Sequence, residues 1–390
     1  MSFEEWTVCK LGDIVDVSQG LAINSKSKYL LQNTGLPLLR ITDLFNNVQI
    51  QFINPKKVPK QFIANEDELI YTRTGQVGYV FKGRTGVVHN NCFKVFPKSD
   101  NLDKNFLYWF LYQKSIREYA NLIASGSVQK DLTHSAFKSI EISVPPLPTQ
   151  HRIVEILSSL DNKIELNRQT NATLEAIAQA IFKEWFVNFN FPGATGEMIE
   201  SELGMIPKGW RVGKLEEIIT NYDRKRVPLS SRERENRKGI FPYFGAASIL
   251  DYVDDYIFDG IYLLMGEDGT VITENGKPVL QYVSGKFWVN NHTHVLQGRS
   301  PFSTEYVLLQ LKNTNVKHIV TGAVQPKINQ GNMNELPVII PDEFPLLSFQ
   351  EIINPIFNNI LDTEQETSIL TKIRDDLLPK FMNGEINISN

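Results

Sequence analysis

The chain has 390 residues, of which 42% are hydrophobic and 22% are charged, so it is long enough for two or three domains of ordinary globular composition. Its formal net charge of −4 and its pI near 6.0 argue against a protein that holds DNA unaided, because phosphate contacts require Lys and Arg side chains. Its two cysteines, Cys9 and Cys92, are too few for a disulfide framework or a Cys-rich zinc site.

Targeting signals are not evident in the sequence. Residues Met1 to Trp6 have neither the basic region nor the apolar region that a signal peptide carries. No apolar run approaches the roughly 20 residues of a membrane-spanning helix. Together with the few cysteines, these features lead us to expect a cytoplasmic protein.

Residues 1–148 are predicted to form a first domain of mixed α+β structure. Apolar and polar residues alternate from Ile140 to Val144, and Pro145 ends this strand pattern. Glycine-containing turns separate the earlier segments, and residues 105–122 have a helical pattern.

Residues 149–190 are predicted to form one long helix, because no Gly or Pro interrupts the chain from Thr149 to Phe186. Apolar residues recur at alternating spacings of four and three, which is the seam pattern of a coiled coil. Two seam positions, Asn167 and Asn171, are polar, and buried Asn residues fix the register of such a pair at a cost in stability. The apolar seam positions are Ile153, Leu157, Leu160, Ile164, Leu174, Ala178, Ile181 and Trp185.

Residues 191–345 are predicted to form a linker and a second domain of the same kind, with a helical pattern at residues 303–311. Within it, residues 222–238 contain seven basic side chains against three acidic ones. We interpret this run as a solvated loop in preference to a DNA contact. Because the net charge of the whole chain is −4, we expect a partner protein to supply part of the basic side chains that contact DNA phosphates.

Residues 346–390 are predicted to form a second long helix, with a helical pattern from Gln350 to Glu385 that includes Pro355 and Pro379. Its seam, which has a polar middle at Glu364, Thr367 and Thr371, consists of Ile353, Ile360, Leu370, Ile373, Leu377 and Phe381. A helix of about 38 residues is about 57 Å long, so a parallel second helix would force the linker to retrace that length. We therefore expect an antiparallel helix pair between two globular domains with approximate two-fold symmetry. A homodimeric coiled coil that uses both seams is the alternative.

These elements form a tandem duplication of about 200 residues per copy. The clearest match is Gly126-Ser127-Val128-Gln129 with Gly322-Ala323-Val324-Gln325, at an offset of 196. Four other matches occur in the same order along the two copies. Trp6 and Leu11 match Trp210 and Leu215, and Ile70-Tyr71 with Gly75 matches Ile261-Tyr262 with Gly266. Asn90-Asn91 matches Asn290-Asn291, and Gln150 matches Gln350.

The sequence contains no recognisable catalytic constellation. It has no GxxxxGK[ST] phosphate loop, no HExxH motif and no pair of Cys-x-x-Cys units. His292 and His294 have the spacing of alternate ligands on a strand, but no third ligand is near in sequence, so we interpret them as ordinary strand or loop histidines. We therefore predict no catalytic and no metal-ligating residues.

Three stretches together identify a family. They are Ile206-Pro207-Lys208-Gly209-Trp210 followed by Lys214-Leu215, the segment Ile181-Phe182-Lys183-Glu184-Trp185-Phe186, and the segment from Arg374 to Glu385. Because the three stretches occur together in a duplicated chain, the chain resembles the specificity (S) subunit of type I restriction–modification systems over essentially its whole length.

The resemblance implies two target recognition domains that each read one half of a bipartite double-stranded DNA site, separated by two spacer helices. It also implies that two methyltransferase (M) subunits dock on the helices and that restriction (R) subunits join them. S-adenosylmethionine, ATP and Mg would belong to those partners, so this chain would bind no cofactor and would not be an enzyme by itself. A coiled-coil interaction scaffold without sequence-specific DNA binding is the alternative function.

Candidate DNA-binding residues follow from the chemistry of base edges. Gln and Asn bond adenine, Arg and Lys bond guanine, and loops of small residues allow close approach to phosphates. The second domain departs from the first at Leu263-Leu264-Met265 against Thr72-Arg73-Thr74 and at Pro326-Lys327 against Lys130-Asp131, which would let the halves read different sequences. The predicted DNA-binding residues are Arg73, Gly75, Gln76, Ser127, Gln129, Lys130, Gly266, Glu267, Gln325 and Lys327.

Overall fold

The computed structural model of the chain describes residues 6–322 and 324–386. Met1 to Glu5, on which the signal-peptide expectation rests, and Ala323 of the repeat lie outside the described residues. Contacts between residues divide the chain into two compact units. Unit one is Met1–Glu165 with Thr367–Asn390, and unit two is Leu166–Glu366.

Unit one contains the first globular domain, called head one here (residues 7–144). Its strands are β1 Thr7–Lys10, β2 Val15–Gln19, β3 Leu31–Gln32, β4 Leu36–Leu39, β5 Phe52–Ile53, β6 Ile63–Ala64, β7 Leu69–Thr72, β8 Val80–Phe81, β9 Gly86–Val88, β10 Cys92–Pro97 and β11 Glu141–Val144. Its helices are α1 Leu11–Ile14, α2 Ile41–Asn46, α3 Lys104–Tyr112, α4 Lys114–Ile123 and α5 His134–Lys138, and α6 Leu147–Phe186 follows the head.

Unit two contains the second domain, called head two (residues 211–340). A hairpin, β12 Met198–Ser201 and β13 Gly204–Pro207, precedes it. Its further elements are β14 Arg211–Lys214, α7 Leu215–Ile218, β15 Ile219–Asn221, α8 Ser231–Asn236, β16 Lys238–Phe244, β17 Ile249–Val253, β18 Phe258–Asp259, β19 Tyr262–Gly266, β20 Leu280–Val283, β21 Lys286–Val289, β22 Thr293–Gly298, α9 Thr304–Asn313, α10 Gln330–Asn334 and β23 Pro337–Ile340, and α11 Glu343–Met382 follows the head.

The two heads have the same topology. A four-stranded sheet in the order β2-β10-β7-β8 in head one corresponds to β15-β22-β19-β20 in head two. The first and last strands of each head pair with each other, β1 with β11 and β14 with β23. A second sheet contains a parallel pair in both heads, β4 with β9 and β16 with β21. This order of strands confirms the predicted tandem repeat of mixed α+β domains.

Strand pairing corrects the repeat alignment around the candidate site. Thr72 lies opposite Cys92 in head one, and Gly266 lies opposite Thr293 in head two. Gly266 is therefore the counterpart of Thr72, and the match of Ile70-Tyr71 to Ile261-Tyr262 is wrong by three residues. The match at Asn90-Asn91 is likewise wrong by one. A shared dipeptide is weaker evidence than the hydrogen-bonded register that fixes which side chains share a face.

One glutamine joins each head to the start of its long helix. Gln150 donates its amide to the carbonyl oxygens of Asn101 (2.9 Å) and Pro145 (2.8 Å) and accepts from Asp103 N (2.8 Å). Gln350 donates in the same way to the Pro301 carbonyl oxygen. The predicted match of these two glutamines is thus confirmed by their shared role.

The long helix α11 begins seven residues before the position at which its sequence pattern starts. Leu346 and Phe349 are buried in the core of unit two, which accounts for the earlier start. Pro345 lies in the first turn, where its missing N–H has no intrahelical partner to lose. Pro355 and Pro379 lie inside the helix.

In unit one, the first half of α6 packs antiparallel on the last half of α11. Ile153 and Leu157 share a core with Leu378 and Phe381. Nearer the middle of the helices, Arg374 Nη1 donates to Asp161 Oδ1 at 2.7 Å. The predicted seam position Ile373 is wrong, because Ile373 is 41% exposed while the neighbouring Arg374 is 6% exposed. The aliphatic stem and the ion pair let arginine occupy a buried position.

In unit two, the last half of α6 packs antiparallel on the first half of α11. The apolar residues that meet there include Ala178, Phe182, Ile353 and Phe357. Asn171 Nδ2 donates to the Ile360 carbonyl oxygen at 3.2 Å, and the buried Asn167 donates to Glu366 Oε2 at 2.8 Å. The predicted antiparallel pairing is confirmed, and both seams are occupied within one chain, unlike in the homodimer alternative.

The structure contains no helix, within residues 6–322 and 324–386, that is both long enough and apolar enough to cross a lipid bilayer.

Candidate nucleic-acid interface

Each head presents a short loop at corresponding positions, called apex loop one (Ser125–Asp131) and apex loop two (residues 321–327). Backbone hydrogen bonds close both loops at their base. Ser125 and Asp131 exchange two such bonds, of 3.0 and 2.8 Å, and Thr321 and Lys327 exchange two of 2.8 Å. The two loops therefore have the same base and the same length.

Each apex loop is also tied to the end of a central strand. In head one, Gly75 N donates to the Lys130 carbonyl oxygen, and Leu132 N donates to the Arg73 carbonyl oxygen, both at 2.8 Å. In head two, Gly269 N donates to Pro326, and Ile328 N donates to Glu267, both at 2.9 Å. Gly269 thus takes the place in head two that Gly75 has in head one.

A glycine is required at the second position of each apex loop. Gly126 has φ +95° and Gly322 has φ +84°, in the left-handed region that favours glycine. A Cβ atom would lie 2.3 Å from the Gln129 carbonyl oxygen in the first loop and 2.2 Å from that of Gln325 in the second. Both clashes involve backbone atoms, so any larger residue would force the loop open.

A polar cluster links apex loop one to the strand end in head one. Arg73 donates to Gln19 Oε1 at 2.8 Å and to Asp131 Oδ2 at 2.7 Å, and Thr74 Oγ1 donates to the second oxygen of Asp131 at 2.8 Å. Burial opposes ionisation of Asp131, but the hydrogen bonds from Thr74 and Arg73 outweigh it and lower the pKa of this carboxyl. Arg73 is therefore held by the protein at the edge of the loop.

The corresponding cluster in head two has the opposite arrangement of charge. An acid, Glu267, stands at the strand end and accepts from Arg226 at 2.6 Å. A base, Lys327, stands on the loop, with its Nζ 3.4 Å from Glu267 and 3.3 Å from Asp268. The hydrogen bond to Asp268 raises the pKa of Lys327. The pair Arg73–Asp131 of head one is thus replaced by the inverted pair Glu267–Lys327.

A buried histidine lies beneath this second cluster. His294 is fully buried, with Nδ1 2.6 Å from Asp223 Oδ2 and Nε2 2.8 Å from the Ile328 carbonyl oxygen. Burial opposes ionisation of Asp223, but the hydrogen bonds from His294, the Val295 backbone N–H and Asn221, together with the charge interaction with His294, lower the pKa of the carboxyl. Both ring nitrogens of His294 therefore have a protein oxygen as partner, one on the Asp223 carboxyl group and one on the Ile328 backbone.

Three of these residues have the composition of a metal site. The ligand atoms of Asp223, Glu267 and His294 lie within 4.8 Å of one another. However, Arg226 already neutralises Glu267, and both nitrogens of His294 already have protein partners. In this structure the group is an internal ion-pair network at the base of apex loop two.

The structure brings most of the predicted head-one residues together. Gln129 lies against Gly75, since a Cβ on Gly75 would be 3.9 Å from the Gln129 amide nitrogen. Both residues are exposed, as are the other predicted residues outside the polar cluster, namely Gln76, Ser127 and Lys130. Contact of these residues with DNA stays a prediction.

The predicted head-two residues differ in their access to solvent. Gln325 is exposed on apex loop two, and Lys327 and Glu267 are half-buried in the polar cluster. Gly266 is buried inside β19, where a Cβ would lie 2.8 Å from the Thr270 carbonyl oxygen. Its backbone is thus needed for packing, and Gly269 is the glycine that lies beside the loop.

The basic run at residues 222–238 is mostly paired within head two. Arg226 is held by Glu267, and Arg237 lies 2.9 Å from Asp254. Lys238 and Arg234 both approach Asp251, at 2.7 and 3.5 Å. Four of the seven basic side chains are thus paired, and Arg224, Lys225 and Arg232 are exposed. The sequence alone leads us to interpret the run as a solvated loop, but it contains α8 and the first residue of β16.

Several members of the two clusters were not among the predicted residues. In the alignment of the two copies, Lys327 occupies the position of Asp131. This difference was the sign in the sequence that the charges of the two clusters are inverted. The other members lie on distant segments that only the fold brings near, and they are Gln19, Asp223, Arg226, Asp268 and His294.

Comparison with known proteins places the chain in a family. The model of the type I restriction modification DNA specificity domain matches residues 3–176 and again residues 207–374. The type I restriction enzyme MjaIX specificity subunit of Methanocaldococcus jannaschii is 26% identical, with 99% of this chain and 94% of that protein covered. The HindI specificity subunit of Haemophilus influenzae is 22% identical, with 98% and 100% covered.

A solved structure has the same fold. The crystal structure of the type I restriction–modification system S subunit from M. genitalium aligns with 99% of this chain and 97% of its own, at a TM-score of 0.59 and 17% identity. The two matches to the family model each contain one head and most of the helix that follows it. This chain therefore belongs to the type I restriction modification DNA specificity family, and it is a sequence-recognition subunit, the non-catalytic component of such a system.

Proposed function

We propose that the two heads read the two halves of one bipartite site in double-stranded DNA, through their apex loops and the adjoining strand ends. The observation that carries this proposal is the inverted charge pair on an otherwise shared backbone, Arg73–Asp131 in head one and Glu267–Lys327 in head two. A shared backbone would place both heads on DNA in the same way, and different side chains would then select different bases.

The chemistry of the exposed groups supports different preferences for the two halves. Head one offers an exposed Lys130 beside Gln129, donors suited to guanine and adenine edges. Head two offers Gln325 beside Pro326, which has no charge, and the nearby Lys327 is shared with Glu267 and Asp268. An acid near the surface accepts from cytosine in preference to guanine.

Partner subunits would supply the cofactor-binding sites and part of the DNA contacts. We propose that two methyltransferase subunits dock on α6 and α11 and that restriction subunits join them in the cytoplasm. The net charge of −4 and the internal pairing of the basic run support a grip on DNA that is shared with a partner. S-adenosylmethionine, ATP and Mg would be bound by those partners.

A head exchange tests the proposal. Residues 1–145 are replaced by the corresponding head of another family member, and methylated positions in the host genome are mapped by sequencing. We expect a change in one half of the methylated motif only. The reciprocal exchange of residues 211–340 is the matched control and should change the other half only. A change in both halves from either exchange would contradict independent heads.

The alternative of an interaction scaffold makes a different prediction. The complex of this chain with its methyltransferase subunits should retain a duplex that carries the mapped motif in preference to a scrambled duplex of the same composition, at about 150 mM salt so that non-specific binding is weak. Equal retention of the two duplexes would favour the scaffold function.

A further inference from the structure

We propose that Val128 and Val324, at the tips of the two apex loops, insert into the base stack of their half-sites and open the duplex locally. The inference rests on the proposed function, because it assigns a role within the same loops. It concerns an apolar side chain that both loops carry at the same position.

Both valines are wholly exposed. Val128 is 100% exposed and Val324 is 98% exposed, so neither side chain contributes to a core. A single exposed apolar residue needs no explanation. Here, however, the same residue type is exposed at the matched position of both copies, three residues before the loop member of the inverted charge pair, Asp131 or Lys327.

The loop backbone holds each valine in place. The base of each loop is closed by two backbone hydrogen bonds, and further bonds from Gly75 and Gly269 tie the loops to their strand ends. At the second position, each glycine lies so close to the carbonyl oxygen of the glutamine after the valine that a Cβ atom would clash with it. Valine itself is stiff at χ1. A rigid loop with a stiff apolar tip loses little conformational entropy on binding, which favours insertion.

The identity of the two tips indicates a role that does not depend on sequence. If the valines read thymine methyl groups, two heads with different targets would have no reason to share them. Apolar side chains inserted between base steps unstack them without reading their sequence. The glutamines that follow, Gln129 and Gln325, are exposed and are also shared, so they would bond an uncovered base in both half-sites without distinguishing the two targets.

Opening the duplex would serve a partner that modifies a base. An enzyme that acts on a base must take it out of the stack, and the unstacking costs a few kcal/mol. A wedge in each head would meet part of that cost at each half-site. The valines would then contribute to modification and to affinity, and the neighbouring polar groups would contribute to sequence choice.

The test uses the complex of the full chain with its methyltransferase subunits and duplexes that carry the mapped motif. One adenine at a time in each half-site is replaced by 2-aminopurine, whose fluorescence rises when it is unstacked. We expect a rise in both half-sites with the unaltered chain. Val128→Ser should abolish the rise in one half only, Val324→Ser in the other half only, and each should weaken binding roughly tenfold, which is about 1.4 kcal/mol.

Val8→Ser is the matched control, because Val8 is 66% exposed in β1, away from the apex loops. It should leave fluorescence and binding unchanged, and all three variants should keep the melting temperature of the unaltered chain. A fluorescence rise that survives both apex substitutions would overturn the inference.

Other outcomes separate the competing explanations. A changed base preference in the mapped motif of Val128→Ser would show that the valine reads sequence. Release of the methyltransferase subunits from this variant in the absence of DNA would show that the tip binds protein. Either result overturns insertion but leaves the proposed function intact. Failure of the unaltered complex to prefer its own motif would overturn both.

Discussion

Head one and head two share a backbone and differ in the polar groups that surround it. The hydrogen bonds that hold apex loop one recur bond for bond in apex loop two. Beneath these loops, Arg73 in one head is replaced by Glu267 in the other, and Asp131 is replaced by Lys327. Shared backbone hydrogen bonds therefore fix the position of the apex loop in both heads. The charged side chains next to the loop differ, and in each head they form ion pairs with one another.

The two heads also differ at buried positions beneath the polar clusters. Strand register sets His294, opposite Met265, in the position of Phe93, opposite Tyr71. Asp223 lies two residues beyond the paired part of β15 and bonds to His294, as Gln19 pairs with Phe93 in head one. Head one therefore has an apolar ring where head two has an imidazole that is hydrogen-bonded to a carboxyl group. The differing pair on the loop is thus accompanied by a differing pair below it.

The largest expected effect comes from breaking this match. His294→Phe would place the head-one residue in head two and leave the nearly buried carboxylate of Asp223 without its main partner. Removal of one member of a buried pair costs about 3–5 kcal/mol, so we expect a loss of that size in the free energy of unfolding of unit two, measured by urea denaturation.

The double variant His294→Phe with Asp223→Gln serves as the control. It restores the pair of residues found in head one, and we expect it to recover most of the lost stability. A double variant as unstable as the single one would show that the two positions are not coupled.

A smaller effect is expected at the loop itself. Arg73→Glu would set an acid against Asp131, whose side chain is 39% exposed. Because solvent screens part of the repulsion, we expect a loss of roughly 1–2 kcal/mol in the stability of unit one. Adding Asp131→Lys would create the head-two pair and should restore stability while changing the half-site that head one reads in methylation mapping. An unchanged motif in the stable double variant would argue that this pair is purely structural.

The sequence predicted the repeated parts of the molecule better than the parts that differ. The heads, the antiparallel helices and the apex loops all follow from periodic apolar residues or from a shared motif, because those features are local in sequence. The charge clusters do not, because Gln19 and Arg73 meet across 54 positions of sequence and Arg226 and Glu267 across 41. The choice of Gly266 rested on a shared motif, whereas strand register places Gly269 beside the loop.

The helix seams offer a second comparison, between the two units. Unit one has the ion pair Arg374–Asp161 in its seam, whereas unit two has Asn167 bonded to Glu366. Asn167→Leu should stabilise unit two by about 1 kcal/mol or less, because a buried amide is replaced by an apolar side chain and Glu366 stays at the solvent-exposed edge of the helix. Loss of the polar position should also allow wrong registers, which light scattering would detect as higher oligomers. If the variant had the same stability and the same oligomeric state as the unaltered chain, Asn167 would determine neither the stability of unit two nor the register of the helices.

The smallest expected effect is the acid response of head one. The pKa of Asp131 is lowered in the folded state, so its ionised form stabilises the fold at pH values above the usual carboxyl pKa of about 3.9. That contribution is lost as the pH falls below this value towards the lowered pKa, because the folded carboxyl must then take up a proton that the unfolded one already holds. In Asp131→Asn this part of the pH dependence should be absent, so its unfolding free energy should fall less steeply between pH 5 and 3 than that of the unaltered chain, by an amount reduced by the exposure of the pair. Parallel pH profiles for the two proteins would show that the Arg73–Asp131 pair contributes to the geometry of the loop but not to its stability.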